Sequence, residues 1–271
     1  MPIGEPDRGR NTASPLNVKY RIGRIAPYLS GRWLDFGCAE GGYVQEMLNR
    51  GAASVFGVDV ESDRIEDAKQ LGLPAATFST FDGRSLGFDD DTFDGAFMNE
   101  VFEHVADEQQ SLREIWRVLK PGGYLVLISP NRWFPIEGHT VNIGKRSFGP
   151  APLIPWLPER LTREWTEARN YWPSELRNHV TRAGFAIRET GFIWPVLEQY
   201  PWLPPRGIVI YQRYLERLDR VPGLRRFGVS TMVVGVKPSA KVSSLTGVST
   251  RQSASVRHVS SGPGERHSSS V

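Results

Sequence analysis

The chain has a single cysteine, Cys38, among 271 residues. An intrachain disulfide is therefore excluded, and a lone thiol suits a reducing compartment. Long apolar runs are missing as well: nothing approaches the ~20 consecutive apolar residues of a membrane span. The polar N-terminus lacks the apolar core of a secretory signal. These absences predict a cytoplasmic protein. A strong charge of one sign is also lacking. The formal net charge is +3, and it sits in residues 239–271, where Lys241, Arg251, Arg257 and Arg266 face one acid, Glu265. The preceding residues balance acids and bases, so net charge predicts no nucleic-acid partner. The same last segment holds 11 serines and almost no large apolar side chain. Such a composition cannot bury a core and predicts a disordered tail. No His or Cys spacing of a metal site stands out, so no metal is expected.

What is present is an alternation of short apolar runs with amphipathic stretches. It predicts a lead-in helix over 16–29 and strands over 32–36, 54–58, 75–78, 93–99 and 124–129. Helices fall between them at 43–50, 62–71 and 108–119. Ser62 and Gly72 bound the second of these, and Leu112, Ile115, Trp116 and Leu119 form the inward face of the third. A helix over 173–183 and strands over 186–193 and 230–237 follow. This order predicts an α/β, doubly wound sheet. Three regions result: an N-terminal segment and lead-in helix (1–30), one catalytic domain (31–238) and the tail (239–271). Two proline- and aromatic-rich insertions, 133–172 and 195–228, exceed ordinary connections. They are expected to form a lid over an apolar or stacking acceptor. The competing roles are packing on the sheet, or peripheral membrane contact through Trp194, Tyr200 and Trp202.

The stretch Leu34-Asp35-Phe36-Gly37-Cys38-Ala39-Glu40-Gly41-Gly42-Tyr43 ends a buried strand, turns tightly and opens a helix. Gly37, Ala39 and Gly42 approximate the G-x-G-x-x-G of dinucleotide turns. Asp35, Gly37 and Gly41 fit D-x-G-x-x-x-G instead. A pyrophosphate needs close backbone approach, which the Ala39 methyl opposes, and it repels the Asp35 carboxylate. A zwitterionic or cationic ligand has neither problem. Asp59 ends the next apolar run at the distance of a ribose-binding acid.

Further on come Phe81-Asp82-Gly83, then Phe97-Met98-Asn99-Glu100-Val101-Phe102-Glu103-His104-Val105, then Arg117-Val118-Leu119-Lys120-Pro121-Gly122-Gly123. In order and spacing this series resembles the class I S-adenosylmethionine-dependent methyltransferases, in particular the bacterial group with quinone and small-molecule methyltransferases. The resemblance is detailed over about 31–131 and looser to 238. It implies a Rossmann-like sheet of seven strands with the last antiparallel, and S-adenosylmethionine as cofactor. It implies that Asp35, Gly37, Cys38, Ala39 and Gly41 hold the methionine part. Asp59 and Val60 would take the ribose, Asp82 and Gly83 the adenine, and Asn99 would lie beside the amino acid and methyl donor. The chain departs from the pattern at Ala39, usually glycine, which is tolerated if φ is negative, and at Phe81, where glycine is usual before the acid.

Ser129–Thr140 follows the fifth strand, at the edge where open sheets place ligands. Glu137 and His139 are the candidates for a general base, and Asn131, Arg132 and Trp133 for substrate contacts. His104 reads as part of a helix start. The expected activity is methyl transfer to a small or lipid-linked acceptor, with O-methylation of a glycan or glycolipid preferred. The alternatives are C-methylation of a quinone-like or isoprenoid acceptor, a NAD-dependent oxidoreductase, and a non-catalytic scaffold.

Overall fold

Seven strands share one sheet: β1 (Arg32–Phe36), β2 (Ser54–Asp59), β3 (Ala76–Thr80), β4 (Phe93–Asn99), β5 (Leu119–Pro130), β6 (Ala186–Ile193) and β7 (Ser230–Val236). Their spatial order is 3-2-1-4-5-7-6. β7 runs antiparallel to both its neighbours, β5 and β6. This computed structural model describes residues 14–239 except 145, 163, 167, 197–205, 207–209, 212, 215, 216, 218–220 and 222. The serine-rich tail, Tyr200, Trp202 and much of 208–218 lie outside the described residues.

Helices cover both faces. α1 (Pro15–Ile25), α2 (Gly42–Asn49) and α3 (Ser62–Gln70) bury Ile22, Ile25, Met47 and Ile65 on one side. α4 (Glu108–Val118) and α5 (Pro173–Arg182) bury Leu112, Ile115, Leu176 and Val180 on the other. The apolar positions recur at helical spacing, so each helix turns a single stripe to the sheet. Asp107 starts α4 by accepting from the Gln110 N–H at 2.9 Å. The central strands have no exposed face, and their fit is tight: a Cβ at Gly95 would lie 2.4 Å from the Trp33 ring.

Three expectations change. Trp116 is 36% exposed rather than inward, and its ring lies under the Lys237 Nζ at 4.1 Å. The N-cap of α3 is Glu61, not Ser62, because Asp59 Oδ1 accepts from the Glu61 N–H and draws that residue to the helix start. Lys120-Pro121-Gly122-Gly123 does more than end α4. Gly122 donates to the Lys237 carbonyl and Lys237 to the Gly123 carbonyl, so β5 begins at Leu119.

The chain crosses from β1 to β2 in one direction and reaches β4 on the other side of β1. Between β1 and β4 the strand order reverses, which leaves a crevice at their carboxyl ends. Over the carboxyl end of β5 the first insertion forms nested short hairpins. Ile136–Glu137 pairs with Ala151–Pro152, and Val141–Ile143 with Arg146–Phe148. No helix among the described residues is long and apolar enough to cross a membrane.

Candidate active site

The turn from β1 into α2 needs three positive φ angles: 80° at Gly37, 46° at Ala39 and 79° at Gly41. A Cβ at Gly37 would meet Val101 Cγ2 at 2.4 Å, and one at Gly41 would meet Leu71 Cδ1 at 2.9 Å. Ala39 thus adopts the conformation that its methyl group disfavours, contrary to the negative φ expected. The left-handed region costs an L-residue ~1–2 kcal/mol, and glycine's extra freedom when unfolded offsets part of that. Ala39→Gly should raise stability by about 0.5–1 kcal/mol, read from urea unfolding with and without cofactor. A loss of stability would show that the methyl group packs usefully.

Asp59 fastens this turn to β2. Its Oδ2 accepts from the Ala39 N–H at 2.9 Å and its Oδ1 from the Glu61 N–H at 3.1 Å. The Gly37 and Cys38 N–H groups donate to the Val58 carbonyl at 2.7 and 3.0 Å. A carboxylate has about four acceptor positions, so Asp59 keeps capacity for a ligand's hydroxyls. Beneath it, Asp35 is buried and its Oδ2 has no hydrogen-bond partner. Burial, then the neighbouring Asp59, pushes its pKa up to about 8. A buried carboxyl with an unpartnered oxygen beside a glycine turn suits a ligand with positive charge, which would favour its ionised form. Cys38 is buried against Gly57, and burial pushes its thiol pKa up, so its side chain is an unreactive filler.

The next turns flank the same crevice. Val60 is exposed, and a Cβ at Gly83 would stand 3.5 Å from Val60 Cγ1. Asp82 Oδ1 accepts from the Ser85 and Arg84 N–H groups, both at 2.8 Å, and these bonds lower its pKa. Its Oδ2 takes no part in them.

At the end of β4, Asn99 meets a residue that the sequence analysis missed. Arg21 of α1 donates to Asn99 Oδ1 and Glu100 Oε1, both at 2.7 Å, and to Ser230 Oγ at 3.3 Å. Burial opposes the Arg21 charge, but Glu100 more than restores it. Glu100 in turn stays low despite burial because of Arg21 and Ser230. The signal was available: Arg21 stands among Val18, Ile22 and Ile25 on the apolar stripe of α1, and a charge there needs a buried partner.

A second cluster lies one turn further on. Glu103 is fully buried; Oε2 accepts from Ser129 Oγ at 2.9 Å, while Oε1 has no partner. Burial, then Glu100, raises its pKa well above the usual carboxylate range. Donor atoms of Glu103, His104 and His139 lie within 4.8 Å of one another, a group able to hold a cation. Their positions in the chain carry no metal signature, since 34 residues separate the two histidines. The rings of His104 and His139 meet edge to face, with centroids 5.6 Å apart. His104 therefore belongs to the site as well as to the start of a turn.

His139 is held by Glu137, which is fully buried. Glu137 Oε1 is 2.8 Å from His139 Nδ1 and accepts from the His139 main-chain N–H at 3.0 Å. Its Oε2 accepts from Asn170 Nδ2 at 2.5 Å. A carboxylate only accepts, so Nδ1 carries the proton and Nε2 is the basic atom. The three residues expected to contact substrate are occupied differently. Asn131 Nδ2 donates to the Arg226 and Gly228 carbonyls at 2.7 Å, and its Oδ1 accepts from the Trp133 N–H. Arg132 holds the Pro155 and Leu157 carbonyls and lies over the Trp172 ring. Trp133 packs on Trp172 and Phe227. They brace the lid to the end of β5.

Comparison with known proteins agrees with this geometry. Residues 34–127 match the family model described as a methyltransferase domain. The ubiquinone biosynthesis O-methyltransferase of Chelativorans sp. (strain BNC1) is 28% identical over 232 residues, 83% of this chain and 80% of the relative. That of Ruegeria pomeroyi is 30% identical over 178 residues, 64% of this chain and 67% of the relative. An S-adenosylmethionine-dependent methyltransferase structure from Mesorhizobium loti shares the fold, with a TM-score of 0.56 at 21% identity over 81% of this chain and 97% of that one. The glycine turn with its buried acid, the 3-2-1-4-5-7-6 sheet and these relatives converge: the chain belongs to the class I S-adenosylmethionine-dependent methyltransferases.

Proposed function

We propose that this methyltransferase modifies a phenolic hydroxyl of a small ring-containing acceptor, with His139 as general base. The Glu137–His139 pair carries the reading: a buried carboxylate fixes the imidazole so that Nε2 can take a proton. A phenol has a pKa of ~10, close enough to an imidazole at ~6.5 for useful proton transfer. A sugar hydroxyl is nearer the ~15.7 of water, so the glycan acceptor preferred from sequence fits this base less well. The named O-methylation of quinone precursors by the relatives supports the same class.

S-adenosylmethionine, when bound, supplies a methyl group already activated on a sulfonium. The protein's part is alignment, water exclusion and removal of one proton. Asp35 and the Gly37–Gly41 turn would receive the methionine portion, Asp59 and Val60 the ribose, and Asp82 and Gly83 the adenine. Asn99, oriented by Arg21, would border the transfer site. His139 Nε2 would take the acceptor's proton as the new oxygen–carbon bond forms.

Asp35 makes the binding step pH-dependent. Its carboxyl is protonated below about 8 in the protein alone. A cationic ligand favours the carboxylate, so binding releases this proton. Affinity for S-adenosylmethionine should therefore rise with pH up to about 8 and then level off. Calorimetry in buffers of different ionisation enthalpy reads the proton directly, and Asp35→Asn should abolish its release.

One observation favours a second reading. The Glu103, His104 and His139 donors would suit a divalent cation, which would acidify a bound hydroxyl directly. A transfer assay over catechol-type phenols and sugar alcohols, with and without EDTA, separates these cases. Phenol methylation that survives EDTA supports the base. Loss restored by Mg²⁺ or Mn²⁺ supports the cation. Transfer to sugars alone sinks the phenol reading, and no transfer by protein that binds cofactor indicates a scaffold.

A further inference from the structure

We propose that the lid presents a docking face for an anionic lipid surface. This does not depend on which acceptor is methylated. Among the described residues fifteen large apolar side chains stand exposed, and twelve of them fall within 133–161 and 210–227. Chance scatter would spread them over the sheet domain too, so the concentration marks a surface with a use.

The charges there point the same way. Arg146, Arg160, Arg206, Arg213, Arg225 and Arg226 are exposed, and none forms an ion pair among the described residues. In the sheet domain Arg50, Arg64, Lys69, Arg117, Lys120 and Lys237 each hold an acid, while Arg84, Arg113, Arg177, Arg182 and Arg188 are exposed without an ion pair among the described residues, so the charge balance rather than the pairing sets the insertion apart. In 195–228 six arginines face three acids, a net +3, while the rest of residues 1–238 holds 23 basic and 26 acidic side chains, a net −3.

The apolar groups of 153–157 and 224–227 belong to one connected surface, with Arg225 and Arg226 as its basic groups. Arg132 pins the 155–157 turn through two carbonyls, and Asn131 pins the 226–228 segment through two more. Both therefore sit at the end of β5. Trp133 bridges them by touching Phe227 and Trp172, beside a groove of about 460 Å³ that also has Phe192 and Arg226 in its wall. Leu153, Trp156 and Leu157 stand exposed on one side, and Leu224 and Phe227 on the other. Apolar and tryptophan side chains beside the exposed Arg225 and Arg226 match the acyl and headgroup layers of an anionic bilayer. A nucleic acid would use the arginines but would leave Leu153 and Trp156 in water.

Flotation of the full chain with vesicles tests this. Phosphatidylcholine vesicles containing phosphatidylglycerol should carry the protein, and pure phosphatidylcholine vesicles should carry about tenfold less. Leu153→Ser/Trp156→Ser should lower the bound fraction on the anionic vesicles. Arg225→Glu/Arg226→Glu should remove the difference between the two lipids. Calorimetric binding of S-adenosylmethionine, unchanged in both variants, certifies the fold. No flotation on either vesicle overturns the proposal. So does flotation untouched by both variants, which would assign it to the basic tail. Retention on duplex DNA lost only with the arginines would also overturn it, in favour of a nucleic acid.

Discussion

Asp59→Ala is expected to weaken S-adenosylmethionine binding by at least about 100-fold, since each hydrogen bond to a charged acceptor contributes ~1.5–3 kcal/mol. Two kinds of bond are lost together. The ribose would lose its proposed acceptor, and the Ala39 and Glu61 N–H groups lose theirs. The turn that must approach the ligand is then no longer tied to β2. Asp59→Asn separates the contributions. One amide oxygen can still serve one N–H, but the amide nitrogen confronts the other donor. An intermediate affinity is expected, together with lower thermal stability than the parent. Calorimetric titration checks both variants, and near-parental affinity in Asp59→Ala would remove Asp59 from the site.

His139→Ala is expected to lower kcat by about 10²–10⁴-fold, the usual contribution of a positioned base. Cofactor affinity should stay within error, because Glu137, which holds His139, belongs to the hairpin after β5 and not to the turns after β1, β2 and β3. Glu137→Gln should retain part of the rate, since an amide oxygen can still accept from Nδ1 but no longer stabilises the imidazolium. A rate loss explained wholly by a raised acceptor KM would instead make His139 a binding residue.

The sheet and the glycine turn after β1 were legible because local signals add there. β1, β2 and β4 are short apolar runs, and Gly37, Gly41 and Gly83 each occupy a positive φ that few other residues tolerate. What the sequence hid was tertiary. Arg21 joins the site across 78 residues to Asn99, and nothing near Asn99 announces it. Glu103, His104 and His139 meet only because the hairpin after β5 folds back over the end of β4. Asn131 and Arg132 hold partners within the lid that the sequence did not announce. Their polarity in a loop suggested a ligand, but main-chain carbonyls of the lid already take up their donors. Ala39 shows a local limit: the motif located the turn, yet only the backbone revealed a left-handed alanine.

The placement of β7 has a consequence for synthesis. It is synthesised after β5 and β6, yet it lies between them. Until it arrives, those two strands have no common partner, and Asn131 lacks the Gly228 carbonyl that steadies the lid. Ser230, its first residue, also reaches across 209 positions to Arg21 of the first helix and donates to Glu100. The charge arrangement beside Asn99 is therefore complete only when both ends of the domain have met. A nascent chain, or one clipped before Ser230, keeps the glycine turn but lacks this clasp.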